Sequence, residues 1–157
     1  MKSKAPYLLI SLVVILVDQG SKYWAQNALL LYEPVKLLDI LNLTLARNTG
    51  AAFSFLDSAS GWQGLFFMCV NTTISFFVLV WLVRLKEEGW IKPLALSLVL
   101  GGAIGNLIDR ARLGYVVDFL DFHWKHYHWP IFNAADSAVC IGMVLLMIDI
   151  LFFEKDS

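Results

Sequence analysis

Asp118, in Tyr115-Val116-Val117-Asp118-Phe119, and Asp136, in Phe132-Asn133-Ala134-Ala135-Asp136-Ser137, both precede the last apolar run of the chain, Ala138 to Phe153. An ionisable side chain at the edge of a hydrocarbon layer is costly, so a pair of them there points to function. Two close carboxylates that share one proton serve as base and acid together. One takes a proton from water, and the other polarises a carbonyl and later protonates a leaving nitrogen. Repulsion between like charges separates the two titrations, whose values then belong to the pair. Hydrolysis of an amide in or near a membrane fits this pattern. Ser137 adjoins Asp136 but has no evident histidine or lysine base, which argues against a serine mechanism. His123, His126 and His128 lack a His-Glu-x-x-His pattern and a nearby cysteine, so no metal site is expected. The aromatic stretch around them, His123 to Pro130, suits the membrane–water interface.

The elements that carry these acids follow from composition. The chain has 157 residues, 59% of them hydrophobic and 16% charged, which is too apolar for a soluble domain of this size. Four stretches are nearly free of charge: Ala5 to Val17 with an amphipathic extension to about Leu31, Trp62 to Val83, Pro93 to Ile108, and Ala138 to Phe153. The expected fold is therefore an all-α membrane protein. Its four transmembrane helices fall at about 5–27, 62–85, 93–112 and 133–153, in a single domain covering 1–157. A net charge of −1 supplies no basic field for nucleic acid. Cys69 and Cys140 lie in apolar spans at about the same depth, which a bridge between them would fit, but they read better as small buried hydrophobes. Met1-Lys2-Ser3-Lys4 resembles the start of a secretory signal, but Asp18, Gln19 and Lys22 follow the apolar run in place of a cleavage site. A retained first helix is expected. Lys2, Lys4, Arg84, Lys86, Lys92 and Lys155 would lie on one side, in short dense segments. Lys36, Arg47, Arg110, Arg112 and Lys125 would lie on the other. This places both termini in the cytoplasm.

Local patterns add detail. Asp18 and Lys22 are spaced i,i+4, either as a local ion pair or as part of a polar site shared with other helices. Leu41 to Leu45 and Ala52 to Phe55 alternate apolar and polar, with the turn-like Arg47-Asn48-Thr49-Gly50 between them. A small extracytoplasmic β-hairpin or cradle is expected at about 34–57, between the first two helices. Gly101 and Gly105 form a small-xxx-small face for close helix packing. Asn106 and Arg110 share a helical face, and Gly114 suits the end of that helix. Tyr115 to Phe122 reads as extended, which turns Asp118 and Asp121 to opposite faces. Asn133 is a good N-cap and puts Asp136 at N3, where a capping box is the structural alternative to catalysis. Free N–H groups and the helix dipole favour an anion there, so the shared proton is expected on Asp118. Asp149 reads as an interhelical or snorkelling group.

Five blocks together resemble the lipoprotein signal peptidase (signal peptidase II) family. They are Asp18-Gln19-Gly20-Ser21-Lys22, Asn48-Thr49-Gly50-Ala51-Ala52-Phe53, Gly101-Gly102-Ala103-Ile104-Gly105-Asn106-Leu107-Ile108-Asp109-Arg110, Val116-Val117-Asp118-Phe119 and Phe132-Asn133-Ala134-Ala135-Asp136-Ser137. They stand in the family's order and span nearly the whole chain. The resemblance implies a bacterial intramembrane aspartyl endopeptidase that removes the signal peptide from prolipoproteins, cutting just before a cysteine that carries diacylglycerol. It implies that Asp118 and Asp136 are the catalytic pair. Asn48, Asn106, Arg110 and Asn133 match supporting or substrate-positioning residues, and Asp18, Lys22, Gly50 and Asp109 match structural supports. It further implies no cofactor, a monomer among membrane lipids, and a multi-pass protein of the bacterial cytoplasmic (inner) membrane. The site would lie near the extracytoplasmic face.

Two other classes compete. A small proton-coupled transporter needs one essential acid at mid-membrane depth, whereas here the acids are paired near one face beside an extramembrane segment. A non-enzymatic assembly factor leaves the paired acids unexplained.

Overall fold

The computed structural model describes residues 4–50, 62–86 and 89–153. Four long helices dominate: α1 (Ala5–Ala28), α2 (Trp62–Arg84), α3 (Ile91–Leu113) and α4 (Ala134–Phe152). Each is long and apolar enough to cross a bilayer. Leu9, Leu16, Phe76, Phe77, Ile141 and Leu151 are exposed on their outer faces, as a hydrocarbon solvent requires. α3 is the central helix. It is 67% buried along its apolar stretch, against 11% to 28% for the others.

Close approach to α3 depends on absent side chains. A Cβ on Gly101 would lie 2.7 Å from the Val14 side chain of α1, and one on Gly102 would strike the Ala135 carbonyl at the start of α4. The small-residue face expected at Gly101 and Gly105 is thus the seat of α1, and Gly102 adds a seat for α4. A core of Leu82, Leu85, Ala95, Leu96, Leu100 and Leu146 fills the space among α2, α3 and α4. At the same end the buried pair Lys92 and Asp149 joins α3 to α4 at 3.4 Å, so Asp149 is interhelical. Cys69 and Cys140 are free thiols with exposed side chains, which corrects the expectation that they are buried.

At the other end lies an antiparallel sheet of β1 (Pro34–Leu38), β2 (Leu41–Asn48), β3 (Val116–Trp124) and β4 (Tyr127–His128), in that order. The hairpin expected at about 34–57 is only part of it. Arg47 and Asn48, expected in a turn, are the last residues of β2 and pair with Val117 and Val116. The alternating segment Ala52 to Phe55 lies outside the described residues. β3 and β4 come from the connection between α3 and α4, so the sheet joins the two halves of the chain. Ala25, Leu45, Val117 and Phe119 bury its inner face against the end of α1.

Candidate active site

The connection from α3 into β3 places the first acid. Gly114 ends α3 in the left-handed region (φ 79°), with its N–H donating to the Arg110 carbonyl. The chain turns at once into β3, and pleating points Asp118 inward, only 2% exposed. The second acid is placed by a clamp on the same strand. Phe119 and Leu120 both donate backbone N–H bonds to the Phe132 carbonyl (3.0 and 2.8 Å), and Phe132 returns one to Leu120 (3.1 Å). Asn133, the next residue, caps α4. Its side chain accepts from the Asp136 N–H at 2.9 Å, and Asp136 accepts from the Asn133 N–H at 3.2 Å. The capping box takes only Oδ2 of Asp136 and leaves Oδ1 to a partner outside α4.

Three asparagines connect the acids. Asn133 Nδ2 lies 2.7 Å from Asp118 Oδ1, 3.1 Å from Asn106 Oδ1 and 3.3 Å from the Val117 carbonyl. Asn106 Nδ2 donates to Asp136 Oδ1 at 2.7 Å. Asn48 Nδ2 donates to Asp118 Oδ2 at 3.0 Å, reaching diagonally across the β2–β3 ladder. Asn48 is itself held, because its Oδ1 accepts the Gly50 N–H at 2.8 Å. Gly50 itself takes a positive φ (93°), and a Cβ there would strike the Phe67 ring. Burial pushes the Asp118 carboxyl up to about 6. The Asn48 amide opposes the rise, the nearby Asp136 charge adds to it, and the Asn133 amide and Lys22 oppose it.

A second layer lies beneath. Lys22 Nζ meets Asp18 Oδ2 at 2.8 Å, Asn106 Oδ1 at 2.9 Å and Asp109 Oδ2 at 3.0 Å. Asp18 also accepts the Ala135 N–H at 2.9 Å, and Asp109 accepts the Val117 N–H at 3.0 Å. The i,i+4 pair on α1 is therefore a hub that ties α1, α3, β3 and the start of α4 together. Arg110 sits at the rim. Its guanidinium lies 5.6 Å from the centre of the Phe67 ring and approaches the Asn106 carbonyl at 3.5 Å.

Asp121 faces elsewhere, as the extended reading requires. It accepts from Thr44 Oγ1 at 2.9 Å and from His128 Nδ1 at 2.7 Å. Burial works to raise its carboxyl, but these bonds outweigh burial and hold it below the usual range. His128 is thus engaged with Asp121 and stacks on His123 at 5.2 Å. Ser137 Oγ donates to the Asn133 carbonyl at 2.9 Å, which commits the hydroxyl to the helix backbone.

Sequence reasoning passed over Gln19. Its amide donates to Asp109 Oδ1 at 2.9 Å and Asp18 Oδ2 at 3.1 Å. The available signal was a long polar side chain beside Asp18 in an apolar helix. Phe67 was also missed, because an aromatic ring in an apolar span carries no local mark of a cation partner.

Residues 10–152 match the family model described as Signal peptidase (SPase) II. The chain belongs to the signal peptidase II family. A relative in Coxiella burnetii (strain Dugway 5J108-111), named lipoprotein signal peptidase, is 50% identical over 147 residues, covering 94% of this chain and 90% of the relative. One of the same name in Shewanella piezotolerans is 50% identical, covering 94% and 86%. Two solved structures of bacterial membrane enzymes, at 1.9 and 2.3 Å resolution, each superpose with a TM-score of 0.84. They are 34% and 32% identical, and each covers 98% of this chain. As a signal peptidase II family member the chain is a multi-pass membrane protein and an aspartyl endopeptidase.

Proposed function

We propose that the chain removes signal peptides from diacylglyceryl-modified prolipoproteins, cutting before the lipid-bearing cysteine by aspartyl activation of water. One observation carries the assignment of Asp118 and Asp136. Two carboxylates from distant segments are aimed into one amide network, Asp118 through Asn133 and Asn48, and Asp136 through Asn106.

Asp136 takes a proton from water, and the water oxygen attacks the scissile carbonyl carbon. Asp118 passes its proton to the carbonyl oxygen, giving a neutral tetrahedral diol. As the diol collapses, the C–N bond breaks. Protonated Asp136 delivers its proton to the departing nitrogen, and Asp118 recovers one from a diol hydroxyl. The products are a free signal-peptide carboxyl and a cysteine with a free amine, and the pair returns to its starting state. No covalent nucleophile enters. The carboxyl of Asp118, pushed up to about 6, supports a resting proton there.

The same reading places the chain as one domain, a monomer in the bacterial inner membrane, with both termini cytoplasmic and the acids near the extracytoplasmic face. Its partners are the prolipoprotein and membrane lipids, with no cofactor. The test is purified protein in detergent with a diacylglyceryl-modified prolipoprotein, read by gel shift. Asp118→Asn and Asp136→Asn are each expected to lower turnover by roughly three orders of magnitude or more while the protein folds. Near-normal turnover in either variant removes that residue from the pair.

A further inference from the structure

Lys22 is the buried cation of the network, its side chain 3% exposed. It faces Asp18 Oδ2, Asn106 Oδ1 and Asp109 Oδ2, so its three protons have three acceptors. The bond to Asn106 bears on the chemistry. An amide side chain turned end for end fills the same space but presents the opposite polarity. In this structure Asn106 Oδ1 faces Lys22 and Asn133 Nδ2, which leaves Nδ2 to donate to Asp136 Oδ1 at 2.7 Å. Turned over, Asn106 would set its carbonyl oxygen against the Asp136 carboxylate and its NH2 against an ammonium.

We propose that Lys22 is a positioning residue of this active site and acts on the acid pair through the amide of Asn106. The proposal rests on the Asp118–Asp136 reading and deepens it. Two ion-pair partners on α1 and α3 hold the ammonium in place, and the ammonium holds the amide. The charge of Lys22 also reaches the Asp118 carboxyl, where it opposes the effect of burial. Among the described residues, the other charged groups around Lys22 and the pair are Asp18 on α1, Asp109 and Arg110 on α3, and the two acids themselves on β3 and α4. Loss of the Lys22 charge makes the Asp118 proton harder to release.

Lys22→Met alone leaves Asp18 and Asp109 without their cation and invites misfolding. The deciding comparison is therefore Lys22→Met/Asp18→Asn against Asp18→Asn. Folded fraction is measured by size exclusion and thermal unfolding in detergent. kcat, KM and the pH profile are measured on a diacylglyceryl-modified prolipoprotein. The double variant is expected to fold, because Asp18 is neutralised and Asp109 keeps the Val117 N–H and the Gln19 amide. Relative to its parent, kcat falls roughly 100-fold with KM within about threefold, as expected when a reacting group is displaced by about an ångström. The limb of kcat/KM against pH that reports Asp118 moves upward by about half a unit or more. A folded double variant with the parent's kcat and an unmoved limb overturns the proposal. So does a loss that only tracks the missing folded protein. Asp118→Asn and Asp136→Asn are assayed alongside. Normal turnover in either refutes the acid pair itself, whatever the Lys22 variants do.

Discussion

The two acids of the proposed pair differ in how they are held, and the difference has a measurable sign. Asp118 is buried on a strand, and its carboxyl is pushed up to about 6. As the proton donor it works below that value and loses its proton above it. kcat/KM is therefore expected to fall about tenfold per unit as pH rises beyond about 6, since this ratio reports the free enzyme. A profile flat to pH 8 would place the resting proton elsewhere. Asp121, three residues on, makes a contrast. Its carboxyl is held low, so its contribution to stability is present above about pH 4 and is lost as pH falls through its own lower value. Asp121→Asn is expected to cost about 1 kcal/mol, seen as a lower melting temperature, with kcat of the folded protein unchanged. That these acids face apart was legible from the pleat alone, because side chains on a strand alternate. The three acceptors of Lys22 were not. Asp18 is its i,i+4 neighbour, but Asn106 and Asp109 arrive from a helix that no local pattern ties to α1.

Packing among the helices is set by glycine, and one position tests this directly. A Cβ on Gly105 would lie 2.6 Å from Asp18 Oδ2 and 3.4 Å from the Ala135 Cβ. Gly105→Ala must therefore move α1 or the Asp18 carboxylate that holds the Ala135 N–H. The expected cost is about 1–3 kcal/mol, read as a lower thermal midpoint in detergent, with activity falling further than stability. A variant as stable and active as the parent would mean that the interface has slack. The helices and this glycine face were legible because apolar length and small-residue spacing are local properties. The sheet was legible only in part. β1 (Pro34–Leu38) is exposed throughout and lacks the alternation that marks a half-buried strand. β2 pairs with β3 across α2 and α3, a separation that no short window of sequence reports. Asn48 was misplaced into a turn for the same reason, since the residues that make it a strand lie in Val116 and Val117.

Across the whole molecule, chain connectivity restricts orientation. β1 and β2 lie between α1 and α2, while β3 and β4 lie between α3 and α4, yet all four form one sheet. Both connections must then emerge on the same side of the bilayer. The start of α1, the end of α2, the start of α3 and the end of α4 then fall on the opposite side. Single-cysteine variants at Lys125 and Gly89, in a background with Cys69 and Cys140 replaced by serine, provide the check. An impermeant thiol reagent applied outside intact cells is expected to label the cysteine at 125 and spare the one at 89. The reverse pattern would invert the proposed orientation, and labelling of both would break the four-span topology. Hydrophobicity and the count of spans were enough to read this organisation, whereas the charge asymmetry between the two sides was slight.

The Phe132 carbonyl, which receives N–H bonds from both Phe119 and Leu120, also bears on how this enzyme can diversify. The clamp fixes the spacing of Asp118 and Asp136 at the base of the intervening segment. Only the hairpin tip at Lys125 and His126 hangs free beyond it, since Phe122 pairs with Leu41, the His123 N–H donates to the Ile40 carbonyl and His128 holds Asp121. Its length and composition can drift without disturbing the register of the acids. That tip is therefore a free parameter of the scaffold, open to insertion or exchange in the manner of a replaceable cartridge.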